Sequence, residues 1–138
     1  MKSRILLLLL LPSLLFLSCS SALDNSITIK NGSAESVTVN ILGKVLTLKS
    51  GTSQVVKNIS KGTYSYAVNY IVPSGITQSS VEGNANGSLI MTAGTEISMY
   101  FSYRIQTTTG GGSSGGLNTY IFIVTVSSSD SNTTTTGA

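Results

Sequence analysis

The chain has 138 residues, a formal net charge of +3, no His, no Trp and a single Cys. Without histidine a serine nucleophile lacks its commonest base, and with one thiol neither an internal disulfide nor a zinc or copper site of the His/Cys type can be built. Lys2 and Arg4 lie in the opening segment, and beyond it six basic residues (Lys30, Lys44, Lys49, Lys57, Lys61, Arg104) face five acids (Asp24, Glu35, Glu82, Glu96, Asp130), a balance of +1 without the Lys/Arg cluster that a nucleic acid backbone requires.

Residues Met1 to Cys19 have the layout of a secretory signal: basic Lys2 and Arg4, an apolar run from Ile5 to Leu17, then small Ser18. The run is too short for the roughly 20 apolar residues of a membrane-spanning helix, and Pro12 interrupts it. Phe16-Leu17-Ser18-Cys19 resembles the lipobox of bacterial lipoproteins, in which a small residue precedes an invariant cysteine. Ser18 matches the small position. Phe16 stands where Leu is usual and Leu17 where a small or β-branched residue is usual, a departure similar to the relaxed lipobox of spirochaetes and of some Bacteroidetes.

The resemblance implies that Cys19 is diacylated through sulfur, freed by cleavage on its N-terminal side, and usually acylated on the new amine. Each buried CH₂ contributes about 0.8 kcal/mol, so two or three chains anchor a protein to a bilayer stably where one does not. Ser20, where the enterobacterial family places Asp to retain lipoproteins at the inner membrane, is permissive for outer-membrane delivery. The alternative is an ordinary secretory signal cut after Ala22, which would discard the cysteine. The organisation expected is a signal at 1–18, a lipidated N-terminus and short tether at 19–25, one β-sandwich domain at 26–127 and a disordered Ser/Thr-rich tail at 128–138.

From Ser26 onward, short β-segments follow one another between Gly, Ser, Asn and Thr, with hardly any helical periodicity. Ile27 and Ile29 alternate with polar residues; Val37, Val39 and Ile41 do the same, and Gly43-Lys44 predicts a tight reversal into Val45 to Leu48. Gln54 to Ile59 and Thr63 to Val72 follow, the latter ended by Pro73. Thr77 to Glu82 leads to Asn86-Gly87, a type I′ turn signal, and on to Ser88 to Thr92.

Glu96 to Ile105 is the clearest strand, with Ile97, Met99, Phe101, Tyr103 and Ile105 on one face. Tyr120 to Val126 is apolar on both faces and predicts a central strand covered on each side. The pattern predicts an all-β fold, an antiparallel two-sheet sandwich of 8–9 short strands, immunoglobulin-like or transthyretin-like in general form, with barrel closure as the alternative. An immunoglobulin domain's Cys and Trp core pair is absent. The expected core is Val37, Val39, Ile41, Leu46, Leu48, Val68, Ile97, Met99, Phe101, Phe122 and Val124.

Two stretches are candidates for binding. Tyr64, Tyr66 and Tyr70 share one face of a strand: either an exposed aromatic row that stacks on sugar rings or anchors a protein, or rings packed inward with their hydroxyls reaching solvent. The glycine-rich stretch Thr107 to Asn118 reads as a flexible loop or a recognition loop; it lacks the Lys and following helix of a phosphate-binding loop. Glu35, Glu82 and Glu96 are the only carboxylates of the domain body, and nothing in their spacing joins two as a glycosidase pair. Sequons at Asn31, Asn58, Asn86 and Asn132 reflect the Asn/Ser/Thr-rich composition.

The expectation is therefore a non-enzymatic, cofactor-free lipoprotein at the outer membrane. Its partners are the lipid bilayer, through N-terminal acyl chains, and a protein or carbohydrate, with no nucleic acid. A periplasm-facing structural or assembly lipoprotein and a non-lipidated secreted β-domain are the alternatives.

Overall fold

The computed structural model describes residues 24–108 and 116–130. Nine strands and no helix occur among them: β1 (Asn25–Asn31), β2 (Val37–Ile41), β3 (Lys44–Leu48), β4 (Ser53–Ile59), β5 (Gly62–Tyr70), β6 (Gln78–Glu82), β7 (Asn86–Met91), β8 (Glu96–Thr108) and β9 (Leu117–Ser128). They form a five-stranded sheet, β4-β1-β8-β9-β6, and a four-stranded sheet, β3-β2-β5-β7. This is a two-sheet β-sandwich.

Alternation along the strands builds the core. Ile27 and Ile29 of β1, Ile97, Met99 and Phe101 of β8, and Phe122 and Val124 of β9 line the inner face of the first sheet. Val37, Val39 and Ile41 of β2, Leu48 of β3, Tyr66 and Val68 of β5, and Leu89 and Met91 of β7 oppose them in one apolar cluster. Each such side chain contributes about 1.5–3 kcal/mol on leaving water. Of the expected core, Leu46 alone is only partly buried; it lies on β3, an edge strand.

Several expectations are corrected. The sandwich is not wholly antiparallel: β1 runs parallel to β8, and β6 parallel to β9. Nor are all strands short, since β8 has 13 residues and β9 has 12. Asn86-Gly87 is not a turn. Both residues lie in β7, which pairs with β5 in the second sheet while β6 pairs with β9 in the first. Gly87 lies across from Tyr66, and a Cβ there would meet the Tyr66 ring at 2.9 Å. Its missing side chain makes room for a buried ring rather than for a reversal.

The β2–β3 hairpin turns at Leu42-Gly43 (φ 55 and 67), one position before the expected Gly43-Lys44. These angles are those of a type I′ turn, with leucine in a conformation that usually selects Gly or Asn. Asn58 (φ 57) is likewise left-handed, where the β1–β4 register slips between Asn25 and Ser26. An Asn is well suited to a left-handed bulge position.

The doubly apolar β9 is central, between β8 and β6. Its outer residue Ile121 is buried, although the described residues form two layers and no third. Arg104 and Glu82, from the strands on either side, form an ion pair, and Ile121 lies between them in register with Arg104 and Ser80. The aliphatic stem of arginine suits such a cover.

Candidate functional site

Cys19 lies outside the described residues, so the structure begins close to, not at, the expected anchor. Asn25 pins the entry to β1. It is buried, its Nδ2 donates to the Ile59 carbonyl at 2.9 Å, and its Oδ1 accepts from the Thr95 amide at 2.9 Å. The last described residues leave from the same end: Ser129 N donates to Glu96 O at 2.9 Å, and Thr92 Oγ1 donates to Asp130 Oδ2 at 2.7 Å. Of the tail expected to be disordered, Ser128 ends β9 and Ser129 and Asp130 are held by these bonds, a correction to its start, while residues 131–138 lie outside the described residues.

Of the two readings of the tyrosine row, the geometry corresponds to inward packing. Tyr66 is 3% exposed and belongs to the core cluster, with Tyr64 and Tyr70 packed against it. The Tyr70 ring stacks on Phe122 with centroids 4.4 Å apart and planes at 7°. The hydroxyls of Tyr64 and Tyr66 donate to the carbonyls of Ser60 (2.9 Å) and Asn84 (3.0 Å), and that of Tyr70 to Ser79 Oγ (3.4 Å). An exposed aromatic row made by all three is corrected, because alternation places them on the β5 face that the sandwich closes over.

Exposed apolar side chains are spread over several strands, Val45 of β3 and Val55 of β4 among them, and three of them share one extension of the first sheet. β1 follows β8 only to the pair Asn31 and Phe101, while β8 continues to Thr108 and β9 starts at Leu117. Ser102 to Thr108 thus extends beyond β1 as an arm about 23 Å long at 3.3 Å per residue. The expected loop Thr107 to Asn118 is shorter than its glycines suggest: Thr107 and Thr108 pair with Asn118 and Leu117, and 109–115 lie outside the described residues.

On this arm Tyr103 is 41%, Ile105 52% and Leu117 55% exposed. The Tyr103 ring stacks on fully buried Tyr120, centroids 5.3 Å apart, which continues inward to Tyr70 at 6.2 Å. Thr107 Oγ1 donates to Asn118 Oδ1 at 2.8 Å, and Thr119 Oγ1 to Gln78 Oε1 at 3.2 Å. The Tyr120 hydroxyl is buried beside Ser33 and Ala34 without a hydrogen bond of normal geometry. Burial raises the phenols of Tyr66 and Tyr120 above their ordinary value.

The sequence signal for the arm was present in Tyr103 and Ile105, which share a face with Phe101. What alternation lacks is the number of neighbours a strand has, and β1 stops at Phe101. Glu82 lies level with Ser102 of β8 through Ile123, roughly 20 Å along the strand from Glu96. The two carboxylates are not brought together. Lys44 and Lys57 lie on β3 and β4, edge strands of different sheets. Among the described residues no three of His, Cys, Asp or Glu are grouped to hold a metal ion. A groove lined by Asn40, Lys44, Ser65 and Ala67 offers amide, ammonium and hydroxyl groups without a carboxylate.

Compared with protein-family models and with curated proteins, the chain matches none.

Proposed function

We propose that this chain is a bacterial lipoprotein, anchored at the outer membrane through acyl chains on Cys19, whose β-sandwich binds a protein or carbohydrate partner. The observation that carries the reading is the segment Lys2 to Cys19: a basic start, a run too short to span, and a small residue before the one cysteine. No second thiol in the chain can pair with Cys19, and no histidine can activate it, which supports lipidation over redox or nucleophilic roles.

The fold supports the reading in one respect. Residues 20–24 between Cys19 and the pinned Asn25 reach roughly 20 Å when extended, so the anchored domain stays close to its bilayer. The arm projects from the end of the sandwich opposite Asn25, so it is the part that a short tether leaves free for a partner. Four residues beyond Tyr103 on the same strand, the hydroxyl of Thr107 and the amide of Asn118 add hydrogen-bonding groups to an arm that carries an exposed ring.

Mass spectrometry of the mature N-terminus tests the anchor. The expected product begins at Cys19 and carries two or three acyl chains; an unmodified chain beginning at Leu23 refutes it. Protease treatment of intact cells tests the setting. Loss of the domain places it at the cell surface, and protection redirects the reading to a periplasm-facing assembly role.

A further inference from the structure

β8 loses its neighbour halfway along. Gly32 N donates to the Phe101 carbonyl at 2.7 Å on the β1 side of β8, so by strand alternation Tyr103, Ile105 and Thr107 turn their N–H and C=O groups to that same side. Among the described residues no strand pairs there; β9 occupies the other side. Tyr103 to Thr108 are all exposed. Such an edge is a template for another strand, and proteins usually blunt it with Lys, Pro or a bulge. Ser102 to Thr108 contains no Lys and no Pro, and its one charge, Arg104, is paired with Glu82 across β9.

We propose that this edge pairs antiparallel with the same edge of a second copy, about a two-fold axis at Ile105. In that register Ile105 exchanges both backbone bonds with Ile105 of the second copy, Tyr103 with Thr107 of the second copy, and Thr107 with Tyr103 of the second copy. Every free N–H and C=O of the edge is then satisfied. Centring the pair on Tyr103 would press the incoming strand onto Phe101, whose carbonyl already accepts from Gly32.

Side chains agree with the Ile105 register. Two half-exposed isoleucines meet at the centre, each Tyr103 lies opposite a threonine, and each Arg104 lies opposite Gln106, so no like charges are opposed. The incoming strand lies in line with β1, beyond its end at Asn31. The interface is isologous and closed, which limits assembly to a pair. The axis places the two β1 strands at opposite ends of that pair. The inference goes beyond the anchoring reading and does not depend on it.

The test uses the full chain carrying Cys19→Ser in detergent, so lipidation does not enter. Sedimentation over about 1–500 µM spans the range where an interface of this size associates. The parent chain dimerises. Ile105→Lys, a charge on an exposed side chain, and Ile105→Pro, which removes an N–H facing away from β9, weaken association about 10-fold or more while circular dichroism is unchanged. On oxidation Ile105→Cys gives a covalent dimer, whereas Thr108→Cys does not, because the two copies of residue 108 are roughly 20 Å apart in this register.

A parent chain that stays monomeric throughout overturns the proposal. So does a Lys variant that associates as tightly as the parent, or a Thr108→Cys chain that cross-links as readily as Ile105→Cys. Should the Pro variant lose its fold, the Lys variant and the two cysteine variants decide.

Discussion

Gly83 and Gly75 provide a matched pair of substitutions that separates backbone strain from crowding. Their φ angles are +83° and +85°, values that a side chain adopts only at a cost of about 1–2 kcal/mol. A Cβ on Gly75 meets nothing within 4 Å, whereas one on Gly83 falls 2.1 Å from the Val124 carbonyl oxygen and 3.1 Å from its carbon. Alanine also reduces unfolded-chain entropy, which offsets about 0.4–1 kcal/mol in both cases. Gly75→Ala should therefore cost roughly 0.5–1 kcal/mol.

Gly83→Ala bears the same strain and must in addition move backbone by about 1 Å. The atom in its way belongs to β9, held on both sides by β8 and β6, so it does not yield as a flexible side chain does. Overpacking of this kind adds about 1–3 kcal/mol. The difference between the variants should be at least about 1 kcal/mol, or roughly 4–8 °C in Tm for a domain of this size. Urea and thermal unfolding of both against the parent measure it. Equal losses would refute the close approach of Gly83 to Val124.

Asn25→Ala leaves the buried Thr95 amide and Ile59 carbonyl without their side-chain partners and should cost about 1–3 kcal/mol, read by urea unfolding; a change under 0.5 kcal/mol would mean that water replaces the amide freely. Phe122→Ala empties the space between Tyr70 and Phe101 and should cost about 3–5 kcal/mol. Near-ultraviolet circular dichroism should show the change in tyrosine packing. For pH, Tyr66 and Tyr120 hold their protons more tightly folded than unfolded, so their contribution is complete below the unfolded phenol value of 10.0 and declines as pH rises through the folded values. Urea midpoints should hold through pH 9 as far as tyrosine is concerned and fall above pH 10; a midpoint that rises there contradicts the burial of these phenols.

Legibility followed the physics of each signal. Period-2 alternation located β2 and the proximal half of β8, because one face of each is buried by the opposite sheet. The same alternation carried Tyr103 and Ile105 into the inner row, although the loss of β1 beyond Phe101 leaves them exposed. Sequence patterns register a face and not a neighbour, so the parallel pairs β1–β8 and β6–β9 left no trace in it. Asn86-Gly87 failed as a turn because the glycine is needed for contact with Tyr66, a residue roughly 70 Å away along the fully extended chain and its direct neighbour only in the sheet register. Tyr64, Tyr66 and Tyr70 were legible as one face. Whether that face met solvent depended on which sheet closed over it.

The parallel course of β1 and β8 has a mechanical consequence. Ser26 lies beside Glu96 and Asn31 beside Phe101, so both strands run from the end where the chain enters toward the arm. A pull applied at Asn25 and at the far end of β8 slides one strand along the other and loads all the bonds between them in shear. Pulling apart the two free ends of a hairpin such as β2–β3 instead peels its bonds one after another. A domain tethered at one end and gripped at the other thus meets tension along its stiff axis, through the order in which its strands are joined.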